Sequence, residues 1–372
     1  MERLSKLIPR QLSGDLRQGG WVLQGNLAGD TDAVSSGQNW QLRGRSGAGF
    51  YDTNWRVFFD GHITGTPNDI RISRYFSEAN VIAGTGQALL AGEALQAIGF
   101  TEQASPANDH QITGFSLADA VQHILERHCN IVFNGVTMPD GIITDTSIDT
   151  TNSTPLTRYN VDESDNLWQA IQSIGGGEKS GEFYAAWFDR RNKFYYQPSP
   201  AFFATPQTSR GIITADNVTG PVSVTLNNAA VGDRIGQVIL TATKDEQTDY
   251  DSTWPTSAGR GRILRATSGI WANSQARADT LAERLYKWLT RAHTLRVPVD
   301  AGLILFGDDG RGLDLADKIE FSYDGPAVDA ITGAGVHIVF NRQAFFVYGA
   351  SVSFDVGAKA ARGTLLLEQD PT

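Results

Sequence analysis

The segment from Asn166 to Tyr196 narrows the fold more than any other. Its first part, Asn166-Leu167-Trp168-Gln169-Ala170-Ile171-Gln172-Ser173-Ile174-Gly175, places Leu167, Ala170, Ile171 and Ile174 at helical spacing. Ser164 stands where it can cap that helix, and Gly175 where it can end it. The second part has aromatic runs, Phe183 to Phe188 and Phe194 to Tyr196, around the polar turn Asp189-Arg190-Arg191-Asn192-Lys193. Such runs predict two half-buried antiparallel strands. Trp168 is expected to bridge the helix to that hairpin at Tyr184 and Phe194.

The rest of the chain reads mainly as strands. Trp21 to Gly25, Trp40 to Gly44 and Trp55 to Gly61 each join a strand pattern to a turn signal, and Asp69 to Phe76 alternates apolar and polar residues. A short helix is expected within 84–100 and a firmer one over 116–129. There Ser116 and Asp119 form a capping-box pattern, and Leu117, Val121, Ile124, Leu125 and His128 share a face. Residues 134–158 read as a long surface loop, and Tyr250 to Gly261 as an exposed one. Between them, Val222 to Leu226 and Gln237 to Thr241 alternate as strands. The strongest helix spans Ser274 to His293, with Ala278, Leu281, Ala282, Leu285, Trp288 and Leu289 as its apolar stripe. The remainder reads as β at 295–306, 317–323, 336–340, 344–354 and 363–368.

Composition sets bounds on function. A chain of 372 residues supports two or three cores. Its 39 glycines, 10% aromatic and 19% charged residues suit a β-rich protein with many turns. A net charge of −10 argues against sequence-independent DNA binding, which depends on cation contacts with phosphates. Cys129 is the only cysteine, so neither an intramolecular disulfide nor a cysteine metal cage can form. The N-terminus has no signal-peptide core and no window reaches membrane-span length, so the expectation is a protein made in the cytoplasm and soluble until assembly.

As a linear pattern, the helix, glycine break and hairpin resemble the tail-hub or baseplate-hub proteins of tailed phages and related injection machines. Leu313-Asp314-Leu315-Ala316-Asp317-Lys318-Ile319-Glu320-Phe321 resembles a strand entry of such hubs, with Ala316 where glycine is usual. Phe346 to Phe354 and Gly363 to Leu367 resemble their final strands. The resemblance implies an α+β, mainly β fold: a tube-like antiparallel β-barrel or sheet domain at 1–110, a mixed helix-plus-hairpin domain at 111–210, and a second tube-like domain with one long helix at 211–372. It also implies a non-enzymatic homotrimer in the virion, closing the distal end of the tail tube. Its partners would be the tail tube protein, distal tail or baseplate proteins, and a spike or fibre protein, with DNA passing through the lumen without sequence-specific binding.

No residue set reads as a catalytic, cofactor or metal site. His123 and His128 are five residues apart and point about 140° from one another on a helix, unlike a zinc-binding pair. Gly307 to Asp314 lacks calcium-loop spacing and reads as a tight turn between strands. Gly175 to Gly181 lacks phosphate-loop spacing and reads as a flexible joint. The acid pairs Asp162/Glu163 and Asp245/Glu246 read as solvated loop residues rather than glycosidase carboxylates. Five residues stand out for structure or interface: Trp168, Leu285 and Trp288 on apolar faces, and Trp254 and Trp271 flanking an apparent loop. The aromatic content leaves open an alternative, a virion-associated carbohydrate-binding or cell-wall-degrading tail protein.

Overall fold

The computed structural model describes residues 6–28, 39–45, 55–64, 68–72, 77–91, 111–112, 116–128, 132–133, 136–137, 146–149, 159–160, 166–175, 184–198, 208–226, 235–245, 248–257, 259, 261–266, 272, 274–290, 293–306, 311–355, 357–358 and 360–370. One twelve-stranded sheet organises them. Its C-terminal part closes on itself. Lys318–Asp329 pairs with Gly335–Asp355, which pairs with Ala360–Gln369, then His293–Asp300, then Val222–Leu226. That last strand returns in parallel to Lys318–Asp329 through Val222 opposite Ala327. Such a circuit is a barrel, and closure satisfies ladder hydrogen bonds that an open edge would expose.

The strand His293–Asp300 shows why these residues close it. Leu295, Val297 and Val299 are buried while Arg296 and Asp300 are exposed, the period of two that gives one face to a core. Phe321, Phe340 and Phe345 meet inside, with ring centroids 5.4–6.0 Å apart.

The 21-residue strand Gly335–Asp355 joins the two ends of the chain. Its first half pairs with the barrel strand Lys318–Asp329, and its second half also takes Gln11–Asp15 along Gly349–Ser353. From there the sheet continues through Gly20–Ala28, Ser77–Gly84, Trp55–Ile63 and Asn39–Arg45. Leu12, Trp21, Leu23 and Phe59 therefore share one core with the barrel residues Val297, Phe321 and Leu365.

Two smaller cores complete the described chain. In the first, helices Leu117–His128 and Leu167–Gly175 pack with the hairpin Tyr184–Phe188/Phe194–Pro198. Ser116 Oγ accepts from Asp119 N (3.2 Å), as the capping pattern predicts. The second helix is capped by Asn166, whose side chain accepts from Gln169 N (2.8 Å) while Gln169 Oε1 accepts from Asn166 N (3.0 Å); Ser164 lies outside the described residues. In the second core, Gln275–Leu289 lies on the strands Ile235–Asp245, Thr248–Trp254 and Arg262–Ala266, burying Ala278, Leu281, Ala282 and Leu285.

Four local readings are corrected. Tyr250 to Trp254 is a strand paired with Val238 to Ala242, its alternation masked by the polar Ser252 buried on the inward face between Tyr250 and Trp254. Thr146–Ile148, within the expected surface loop, pairs in parallel with Phe194 to Tyr196 and so extends the aromatic hairpin. The strand expected over 295–306 stops at Asp300, whose side chain accepts from Gly302 N and starts a short helix, Ala301–Leu305. Of the turn expected at Gly307 to Asp314, Gly307 to Gly310 lies outside the described residues, and Arg311 to Asp314 lies between that helix and the strand Lys318–Asp329 rather than between two strands.

Candidate functional site

The turn Asp189 to Lys193 lies where the hairpin, the N-terminal strands and the loop 311–317 meet. Asn192 adopts a left-handed conformation (φ 66°), which asparagine tolerates better than most residues. This turns Asn192 Oδ1 onto Gly86 N (2.7 Å). Arg190 O accepts from Asp60 N (2.8 Å), and Phe188 N donates to Gly19 O (2.9 Å). The hairpin tip thus contacts the first β-turn, the strand Trp55–Ile63 and the helix Gly86–Leu90 at once.

Its charges point to the loop 311–317. Arg190, 2% exposed, directs Nε at Asp314 Oδ2 (3.3 Å) and donates through Nη2 to Arg311 O (2.6 Å). Its guanidinium lies over the Trp21 ring, 5.5 Å from the centroid. Asp314 Oδ1 accepts from Trp21 Nε1 (2.8 Å) and Leu315 N (2.8 Å). Asp317 Oδ2 accepts from Asp314 N (2.7 Å), while its Oδ1 faces Arg210 Nε and Arg311 Nη2 at 3.7 and 3.8 Å. Asp189 Oδ1 accepts from the backbone of Arg191 and Lys193 (both 2.9 Å).

Burial, reinforced by the nearby Asp314 charge, pushes Asp189 and Asp317 each up to about 6. Asp317 rises although two arginines face it, because both lie beyond good hydrogen-bond reach and desolvation outweighs their attraction. Burial also raises the Tyr195 hydroxyl, and the Asp189 charge adds to that rise. Titratable groups shifted this way inside a cleft mark a candidate functional site. Here the cleft is a space of about 560 Å³ between the hairpin face (Trp187, Tyr195, Gln197) and the loop bearing Arg311 and Asp317.

Sequence reasoning assigned none of these charged residues a site. Asp189 and Arg190 read as an ordinary polar turn, and Asp314 and Asp317 as part of a strand entry. The available signal was the two acids set among Leu313, Leu315 and Ile319 in an apolar run. Of the five residues singled out, the four that are described do not converge on the junction. Trp168 is 5% exposed and meets the hairpin through Phe188 (centroids 5.8 Å), with Phe188 in turn on Phe194 (5.2 Å). Leu285 is buried, whereas Trp288 and Trp254 are half-buried against the same small core. Trp271, Asp162, Glu163, Glu246 and Cys129 lie outside the described residues. Among the described residues no group of three or more His, Cys, Asp or Glu is arranged to hold a metal ion, and no helix is long and apolar enough to cross a membrane.

No family model matches the sequence, and no curated protein matches it. Solved structures do. The tail protein from Neisseria meningitidis MC58 superposes with a TM-score of 0.61 at 12% identity, over 97% of this chain and 92% of its own. The 43 kDa tail protein of prophage MuSo2 from Shewanella oneidensis gives 0.58 at 10% identity, over 98% and 93%. A type VI secretion system component of E. coli gives 0.49 at 10% identity, over 99% and 75%, a likeness too loose to carry argument. At such identities the shared property is the fold. This chain has the mainly β fold of the phage tail proteins, the fold that the hub resemblance implied.

Proposed function

We propose that this protein is a structural hub at the distal end of a phage tail tube, built as a homotrimer. One observation carries the reading: the likeness to a tail protein extends over 97% of this chain and 92% of the other, so it includes the barrel, the N-terminal sheet and the smaller bodies together. Residues 1–110 and 211–372 act as two tube-like units per chain, with 111–210 as the mixed middle domain. Three chains then present six such units to a hexameric tube, and a ring of head-to-tail contacts closes when the rotation fits. The hub joins the tube to a spike or fibre, contacts distal tail or baseplate proteins, and passes DNA on ejection without binding its sequence. Its work is mechanical, and the buried charged junction clamps the units within one chain.

Labelling of virions tests this. Antibody against the protein should mark the tail tip opposite the capsid, and particles lacking the protein should have no attached spike or fibre. Label distributed along the tail, or labelled fibres that bind cell-wall glycans, would overturn the hub reading.

A further inference from the structure

We propose that the small sheet under the helix Gln275–Leu289 joins neighbouring copies of this chain edge to edge, the strand Thr248–Trp254 pairing with Arg262–Ala266 of the next copy. Ile235–Asp245 lies in the middle of that sheet, and among the described residues each outer strand pairs with it alone. An outer strand presents a row of backbone groups able to take a further strand. On the first edge Asp251 O accepts from Gln275 Nε2 (2.8 Å), and a carbonyl keeps a second lone pair for ladder pairing. The two edges differ in sign. Asp249 and Asp251 are exposed on the first, Arg262 and Arg265 on the second. Asp251, Arg262 and Arg265 have no ion-pair partner among the described residues.

Strand direction supports the pairing. Thr248–Trp254 runs antiparallel to the middle strand and Arg262–Ala266 parallel to it. Successive copies in one orientation therefore meet as an antiparallel pair, the more stable ladder. The faces also stay in step. Asp249 and Asp251 alternate with Tyr250 and Trp254, which lean on the helix-covered core, and Ile263 and Arg265 alternate likewise with Leu264 and Ala266. Joining the edges brings Asp251 near Arg265 on the open face, where cross-strand opposite charges attract. On the other face Tyr250 and Trp254, half-buried at one rim of the core, meet Leu264 and Ala266, half-buried at its opposite rim. Ile263, 48% exposed, gains cover from the added strand. Joined about a two-fold axis instead, like edges set acid against acid or arginine against arginine. The charges thus reject isologous pairs and select head-to-tail contacts, which close into a ring when the rotation fits. This contact deepens the ring reading and rests on it only for the number of copies.

Native mass measurement of the full chain over a dilution series tests it, on wild type, Asp251→Arg, Arg265→Asp and the double variant. Both positions are exposed, and circular dichroism checks that each variant is folded. Wild type should assemble. Each single variant sets like charges across the contact and should raise the concentration needed for assembly roughly tenfold or more. The double variant should regain wild-type assembly, because the reversed charges attract again. An oligomer of another number that follows this pattern would support the contact and overturn the three-fold hub. Three-fold rings unaffected by either folded single variant, or no rescue in the double variant, would overturn the contact and leave the hub reading standing. A wild-type chain that stays monomeric at every concentration reached would overturn both.

Discussion

Replacing Arg190 with methionine removes the guanidinium facing Asp314 while keeping most of the apolar stem. The pair is fully enclosed, with side chains 2% and 4% exposed, so solvent cannot take over the lost charge. Breaking a buried ion pair from one side costs about 3–5 kcal/mol, because the remaining charge stays buried. Asp314 keeps its bonds from Trp21 Nε1 and Leu315 N, which places the expected loss near the lower end, about 3 kcal/mol. Asp314→Asn preserves an acceptor for both of those donors but strands Arg190 instead. The double variant Arg190→Met/Asp314→Asn should therefore lose less than the sum of the singles, by about 1–3 kcal/mol. Urea unfolding at pH 7.5, followed by tryptophan fluorescence and circular dichroism, measures all three. A loss below about 1 kcal/mol for Arg190→Met, or strict additivity in the double variant, would show that the junction is not a coupled clamp.

Other outcomes follow from the same structure. Asp189 titrates near 6 when folded and near 3.8 when unfolded, so its contribution is most favourable below about pH 4 and is lost as pH rises through 6. Asp189→Asn should consequently gain on the order of 2 kcal/mol relative to wild type at pH 8 and little at pH 4; an equal difference at both pH values would contradict this. Leu285→Ala should cost about 2–5 kcal/mol, and a loss under 1 kcal/mol in denaturant titration would remove Leu285 from the core. Trp168→Ala should cost about 3–5 kcal/mol. Gly19→Ala should also destabilise, because Gly19 has φ 82° and an added Cβ would lie 2.1 Å from the Trp168 ring; unchanged melting of Gly19→Ala would refute that packing. Ala316 occupies a left-handed conformation (φ 64°), so Ala316→Gly should change stability by less than about 1 kcal/mol, relief of strain offsetting added chain entropy.

Local chemistry made much of this fold legible. The Ser274-capped helix, the Ser116 cap on Asp119 N and the aromatic hairpin rest on contacts within a few residues, and each formed close to its expected place. The glycine usual at position 316 in the hubs that the chain resembles also has a structural meaning, since the backbone there is left-handed. What remained hidden depends on distance along the chain. Trp21 donates to Asp314 across 293 positions, and Arg190 reaches Asp314 across 124, so a turn that reads as polar surface is buried. Strand order was likewise illegible. Nothing local states that Gln11–Asp15 will pair with Gly349–Ser353, or that Val222 will close a barrel against Ala327. Trp168 packs on Phe188, which in turn packs on Phe194, all within the small core that also holds Tyr184.

The central claim is that three chains form a tube-end ring, and a native mass measurement combined with electron imaging of the purified protein tests it most directly. The account predicts a species of three times 40.3 kDa that images as a three-fold ring with a central opening. A monomer at concentrations well above those of assembly, or a closed particle without a channel, would contradict it.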